Sequence, residues 1–118
     1  MTQVRISDAI REVAFESSRE LDEVLDTYYA PDYVHRSDGH QLDRAGFANM
    51  VAGIRSRVVE GSVTVLDEVY EGSHYAERHR YTMKLIDGTL VDREIYFFAT
   101  LSEDGRFQRA DETGFDVG

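Results

Sequence analysis

The sequence predicts an α+β fold, with two or three N-terminal helices packed on a curved, mainly antiparallel sheet. Three observations predict it. Apolar residues recur at three- and four-residue steps through the first half of the chain. From Ser62 onward they alternate with polar residues. Short turn pairs then punctuate the alternating part, at Gly72-Ser73, Asp87-Gly88 and Asp104-Gly105. Helical periodicity followed by a run of strands is the signature of an α+β arrangement.

The first apolar stripe passes through Ile6, Ile10, Val13, Ala14, Ser17, Leu21, Val24, Leu25 and Tyr28, with Glu12, Glu16, Arg19, Glu20 and Glu23 off it. That spacing predicts one long helix over Ser7–Tyr29. Pro31 closes it, because the residue before a proline is disfavoured in the α region. Tyr33–His40 reads as a turn or a short extended piece. Asp43 is an N-cap candidate for a second helix over Asp43–Glu60. Its buried stripe is Phe47, Met50, Val51, Ile54 and Val58, and Gly61 stands where a C-cap glycine belongs. Four strands follow, at about 62–71, 74–86, 89–102 and 106–117, joined as a meander.

If all three turns hold two residues, the register and the faces follow. The inner face then carries Val63, Val65, Asp67 and Val69, beside Ala76, Arg78, Arg80 and Thr82. Val91, Arg93, Ile95, Phe97, Ala99 and Leu101, then Gln108, Ala110, Glu112 and Gly114, complete it. The outer face carries Tyr70, Tyr75, Glu77, His79, Tyr81, Met83, Tyr96, Phe98 and Phe115. So many aromatic residues on one face predict a homodimer surface through the outer face of the sheet, since such residues are enriched in interface cores. Aromatic residues also favour strands for their own sake, which is the alternative account.

Composition narrows the classes of function. The chain has 118 residues, enough for one domain, and a formal net charge of −10. That charge argues against nucleic acid and against anionic membranes as partners. No cysteine is present, so disulfides and thiolate chemistry are excluded; this fits a cytoplasmic location. Met1–Glu12 shows no basic segment leading into an apolar run, so no signal peptide is expected. No metal-binding spacing and no nucleotide-binding glycine pattern appears, and no cofactor is expected.

Several stretches resemble the nuclear transport factor 2-like superfamily, in particular its SnoaL-like branch. They are Tyr28-Tyr29-Ala30-Pro31-Asp32-Tyr33-Val34-His35, the helix Asp43–Glu60, and the hairpin Asp104–Glu112, which is similar to the family's D-G-K-I turn. The resemblance implies a cone-shaped, cystatin-like barrel closing around one small-molecule pocket. It covers ketosteroid isomerases, polyketide cyclases, epoxide hydrolases, dehydratases and proteins that only bind or assemble. Carried over by position, it puts Arg78 on a pocket arginine and Glu112 on the acid of the last strand. Arg80 falls where the hydrolases carry an aspartate. His35 or Asp38 falls near the isomerases' base, and Phe97 on their third-strand acid.

The candidate catalytic residues are therefore His35, Glu112 and Arg78. Tyr29, Tyr33, Phe47, Met50, Arg80, Arg93 and Phe97 are the candidate ligand-binding residues. Histidine titrates near neutrality and suits general-base work. Three arginines on an apolar face are costly unless paired. They form either an anion site or internal ion pairs, with Asp67 opposite Arg78 and Asp116 opposite Arg93. His40, His74 and His79 are placed on a loop, a turn and the outer face. The expected ligand is a small apolar molecule bearing a carbonyl or a carboxylate. The expected function is cofactor-free acid/base catalysis, or binding or assembly without catalysis.

Overall fold

The computed structural model describes residues 4–16 and 18–117. Its elements are helix α1 (Ile6–Ile10), a π-helical turn (Arg11–Phe15), helix α2 (Leu21–Tyr28), strands β1 (Tyr29–Ser37) and β2 (His40–Leu42), helix α3 (Arg44–Arg57), and strands β3 (Val58–Glu71), β4 (His74–Leu85), β5 (Leu90–Leu101) and β6 (Phe107–Asp116). The strands form one sheet in the order β2-β1-β6-β5-β4-β3. β1 and β6 run parallel and every other pair is antiparallel. No helix among the described residues is long and apolar enough to cross a membrane.

The single long helix expected over Ser7–Tyr29 is two helices. The i+5 bond from Glu16 N–H to the Arg11 carbonyl closes the π turn, and α2 restarts after Glu20. Glu16–Glu20 holds no apolar side chain that could tie this part to the core, and serine competes with the helix for backbone hydrogen bonds. Ser17, assigned to the apolar stripe, lies outside the described residues. α2 ends at Tyr28, and the chain passes directly into β1, so the piece expected as a turn is mostly strand. Pro31 sits where the β1–β6 register slips, between Tyr29 and Val34, which suits a residue with no N–H to give a ladder.

Asp43 does cap α3, accepting the Gly46 N–H at 2.8 Å. The helix stops at Arg57, however, and Gly61 lies inside β3 rather than at a C-cap. Its role is close approach. A Cβ there would meet the Phe15 ring, with Cδ1 only 2.6 Å away. Gly114 serves β6 in the same way, since a Cβ would strike the Glu94 carbonyl oxygen and approach Ile95 Cδ1 to 2.6 Å. Gly114→Ala should therefore cost about 2 kcal/mol through overpacking against backbone that cannot yield. Urea denaturation checks it, and an unchanged midpoint would show that β5 and β6 separate freely at that point.

The faces depart from expectation on one strand and part of another. In β3 a bulge near Leu66 shifts the partner sequence, with Val65 opposite His79 but Asp67 opposite Arg78. Val63 and Val65 therefore face inward while Asp67 and Val69 face outward. The β4–β5 turn holds three residues, Ile86-Asp87-Gly88, closed by Leu85 N–H to the Thr89 carbonyl, with Gly88 at φ 88°. It pairs Lys84 with Leu90, one step from the two-residue register. A one-residue slip moves every side chain to the other face. Tyr75, Glu77, His79, Tyr81 and Met83 thus point inward, and Arg78 and Arg80 outward. The β5–β6 turn also departs from two residues, but a bulge at Gln108 restores the expected partners, and Phe97, Ala110 and Glu112 face inward as expected.

The expected dimer face loses most of its members by this inversion. Tyr75 and His79 are each 1% exposed and belong to the interior of the chain, and Tyr81 faces inward with them. Tyr96 and Phe98 remain on the outer face.

Candidate functional site

The concave face of the sheet, α1, the π turn and α3 enclose a cavity of about 150 Å³. Its wall is mostly apolar: Ile6, Ala9, Val13 and Phe15 from the first segment, Met50, Val51 and Ile54 from α3, and Phe97 from β5. Beneath it lies an aromatic cluster. The Tyr29 ring is 4.6 Å from that of Tyr33 and 4.8 Å from that of Phe47, and Phe107 joins Tyr29, Tyr75 and Phe97 at 5.5 to 5.6 Å. Into this apolar surround the sheet sets three titratable side chains: His35, His79 and Glu112.

His35 reaches the cavity from β1, and its ring lies 4.7 Å from Phe47. Its Nδ1 is 2.7 Å from the Tyr33 hydroxyl. Burial, then the neighbouring Tyr29 and the Glu112 carboxylate, push Tyr33 far above the usual tyrosine range. Tyr33 therefore stays protonated and donates to Nδ1, which places the ring hydrogen of neutral His35 on Nε2. That nitrogen lies 3.1 Å from Glu112 Oε1, yet the pair is not aligned for a hydrogen bond, and Nε2 has no partner. A buried donor without an acceptor is costly, so a ligand oxygen placed here would satisfy it.

His79 enters from β4. It is buried, and its Nδ1 is 2.7 Å from Glu77 Oε2, itself fully buried. With Nδ1 engaged, Nε2 is the nitrogen left for a ligand. Neither His79 nor Glu77 was legible as a site residue, because the inverted reading of β4 put both outside. One signal was available. The set Tyr75, Tyr81 and Met83 is more apolar than Ala76, Arg78, Arg80 and Thr82, and the more apolar set belongs inward.

Of the residues singled out from sequence, His35, Glu112, Tyr29, Tyr33, Phe47, Met50 and Phe97 all line this cavity. The arginines do not. Arg78 lies on the outer face and pairs with Asp67 at 2.7 Å and Glu94 at 3.5 Å. Arg80, expected to lack a partner, holds Asp92 with two hydrogen bonds of 2.8 and 2.7 Å. Arg93 keeps the inner face, opposite Tyr81, but pairs with Asp116 at 3.1 Å and does not line the cavity. The slip in β4 is the physical reason for the first two, since Arg80 faces Glu94 across the ladder and not Ile95. Among the described residues, no lysine or arginine lines the cavity. Asp38 stands in the exposed β1–β2 turn at φ 49° and accepts from the Thr113 hydroxyl at 2.6 Å. Among the described residues no group of three or more histidines or carboxylates is placed to hold a metal ion.

No family model matches the sequence, and no curated protein matches it. Solved structures do match in fold. A candidate isomerase from Rhodopseudomonas palustris superposes with a TM-score of 0.79 at 13% identity, over 97% of this chain and 91% of its own. A nuclear transport factor 2-like protein of unknown function from Exiguobacterium gives 0.73 at 14% identity, over 93% and 98%. A SnoaL-like candidate polyketide cyclase from Shewanella denitrificans gives 0.72 at 12% identity, over 91% and 85%. At these identities the likeness is one of architecture: the chain has the nuclear transport factor 2-like fold, in the form shared by SnoaL-like and ketosteroid isomerase-like proteins.

Proposed function

We propose that the cavity takes a small, uncharged, largely apolar compound bearing a carbonyl group and performs acid/base chemistry on it. Isomerisation, cyclisation and dehydration all begin with removal of a proton beside such a group. The observation that carries this reading is the pairing of two buried histidines in one apolar cavity. Each has Nδ1 engaged, by Tyr33 or by Glu77, and Nε2 left over. His79 Nε2 takes the proton from carbon. His35 Nε2–H donates to the carbonyl oxygen as negative charge develops there. Glu112, on β6, one of the two strands between theirs, moves the proton to its new position. A volume of about 150 Å³ matches one six-membered ring or a short branched chain. With no cation on the wall, a carboxylate would enter unpaired, so the neutral carbonyl is the favoured class.

A thermal-shift series over small cyclic ketones, their carboxylate analogues and their amine analogues tests the binding half. Ketones should raise the melting temperature and the two charged series should not. Arg80→Met should leave that ranking unchanged, because Arg80 is engaged by Asp92 on the other face. Proton NMR in deuterated water tests the chemistry, with exchange of the hydrogens beside the carbonyl expected above that of an equal concentration of imidazole. Stabilisation without exchange would make this a binding protein. Stabilisation by carboxylates alone would sink the proposed ligand class.

A further inference from the structure

Behind His79 lies a chain of polar groups that binding a ligand does not require. Glu77 Oε1 is 3.0 Å from the Tyr75 hydroxyl oxygen. The same oxygen is 2.7 Å from Glu68 Oε2 and accepts the Ile6 N–H at 3.2 Å. Arg5 Nε then bridges both Glu68 oxygens, at 3.1 and 2.9 Å. Side-chain exposure rises along this path, from none at Glu77 to 20% at Glu68 and 42% at Arg5.

The hydrogens in this chain can be counted. Two oxygen–oxygen contacts meet at Tyr75, and each needs one hydrogen. A hydroxyl supplies only one. The second must sit on Glu68 or on Glu77. Burial pushes Glu68 upward, but hydrogen bonds from Arg5 and Tyr75 and the Arg5 charge outweigh it and hold Glu68 below its usual range. Glu68 is therefore the anion, and the Tyr75 hydroxyl donates to it. The second hydrogen sits on Glu77 Oε1 and is donated to Tyr75. Glu77 Oε2 then accepts Nδ1–H from a neutral His79, which leaves Nε2 bare toward the cavity. Every hydrogen bond is satisfied, and no unpaired charge remains at the buried end.

We propose that Glu77, Tyr75 and Glu68 form a proton relay between His79 and the surface, with one mobile proton resting on Glu77. This deepens the reading of His79 as the base and rests on it for its use. When His79 Nε2 takes a proton from carbon, the bonding pair stays with the substrate as an enolate. His79 Nδ1–H passes to Glu77 Oε2, Glu77 Oε1–H to Tyr75, and the Tyr75 hydroxyl hydrogen to Glu68. Glu68 gives a proton to water beside Arg5. Each group that loses a hydrogen keeps the bonding pair and takes up the next one, His79 and Glu77 at their other nitrogen or oxygen, so one proton leaves the cavity. Run backwards, the same steps return it. The charged or titratable groups around the relay are Arg5 and Asp8 from the first segment, Glu68 and Tyr70 from β3, Tyr81 from β4, and His35 and Glu112 across the cavity.

Infrared and NMR spectroscopy test the relay without any substrate. The wild type at neutral pH should show the carbonyl-stretch band of a protonated carboxyl group, and Glu77→Gln should lack it. Should Glu77→Gln fail to fold, ¹³C-labelling of glutamate carboxyls in the wild type shows whether the band belongs to a glutamate. ¹⁵N spectra of the histidine rings should show His79 protonated at Nδ1 and bare at Nε2. Tyr75→Phe keeps the ring and breaks the chain. It should slow exchange of ketone hydrogens about tenfold, with recovery when a small permeating acid is added. Absence of the band, or a doubly protonated His79, overturns the relay whatever the exchange assay gives. If the band and the tautomer are present but no ketone exchanges in the wild type, the relay stands and the reading of His79 as a catalytic base fails.

Discussion

Phe107→Ala is expected to destabilise the protein by about 4 kcal/mol, the largest effect of any single apolar truncation considered. Phe107 opens β6 and is 0% exposed. It sits opposite Tyr29 in the parallel β1–β6 pair and opposite Leu101 in the antiparallel β5–β6 pair. Its ring lies 5.6 Å from Tyr29, 5.6 Å from Tyr75 and 5.5 Å from Phe97. Truncation removes contacts to three strands at once, and the backbone around it is held by both ladders, so the cavity cannot collapse. A loss of that size should lower the melting temperature by roughly 15 °C in a chain of this length. Phe98→Ala, one strand away and 62% exposed, should fall within about 0.5 kcal/mol of the wild type. A Phe107→Ala loss below about 1.5 kcal/mol would mean that the aromatic cluster is not the centre of the fold.

The same cluster shows what could be read from sequence and what could not. The helix-to-strand order was legible because the period of the apolar pattern changes once, at Ser62. The Asp43 cap was legible because capping depends on one side chain and one nearby N–H. The break after Phe15 was not, since Ile10, Val13, Leu21 and Val24 keep helical spacing across a gap that itself carries only polar residues. The parallel strand β1 was also missed. Its pairing with β6 joins residues 75 apart, such as Val34 and Arg109, and no local pattern announces a partner at that distance.

The faces of the sheet fail for a sharper reason. Alternation reports which residues share a face only while the count along the strand is unbroken. β4 is flanked by two breaks, the Leu66 bulge on one side and the three-residue Ile86-Asp87-Gly88 turn on the other. Each shifts the count by one. The valines of β3 and the Ile95–Phe97 pair of β5 then agree on a face for β4 that is wrong from both sides. On β6 the long turn and the Gln108 bulge cancel, so Glu112 was placed correctly. Glu112 faces inward as expected for this reason, and His79 with Glu77 lies on the face opposite to the one the count gives; His35 was singled out by its place after the first helix, not by the count. Arg78 and Arg80 were misplaced by the same step. Their partners, Asp67 and Asp92, stand beside them on a solvated face, where such pairs contribute little.

That difference between the two sets of β4 side chains gives the second large effect. His79→Gln should lower the rate of proton exchange into a bound ketone by about 10³, within the range set by loss of a positioned general base. Gln carries a donor toward Glu77 but no nitrogen of suitable basicity toward the cavity. Glu112→Gln should cost about tenfold to a hundredfold and spare binding, because the amide keeps the shape and loses only the proton transfer. Tyr33→Phe should act more weakly and through position. It removes the donor that holds the His35 hydrogen on Nε2, so the midpoint temperatures with and without ketone should draw closer together. Arg78→Met, one residue from His79 along β4, should leave exchange unchanged, since its side chain points away from the cavity. Rates measured by NMR in deuterated water, with ketone binding followed by thermal shift on the same samples, separate loss of chemistry from loss of the site. If Arg78→Met lost as much rate as His79→Gln while both still bound ketone, the inward face of β4 would not be the catalytic wall.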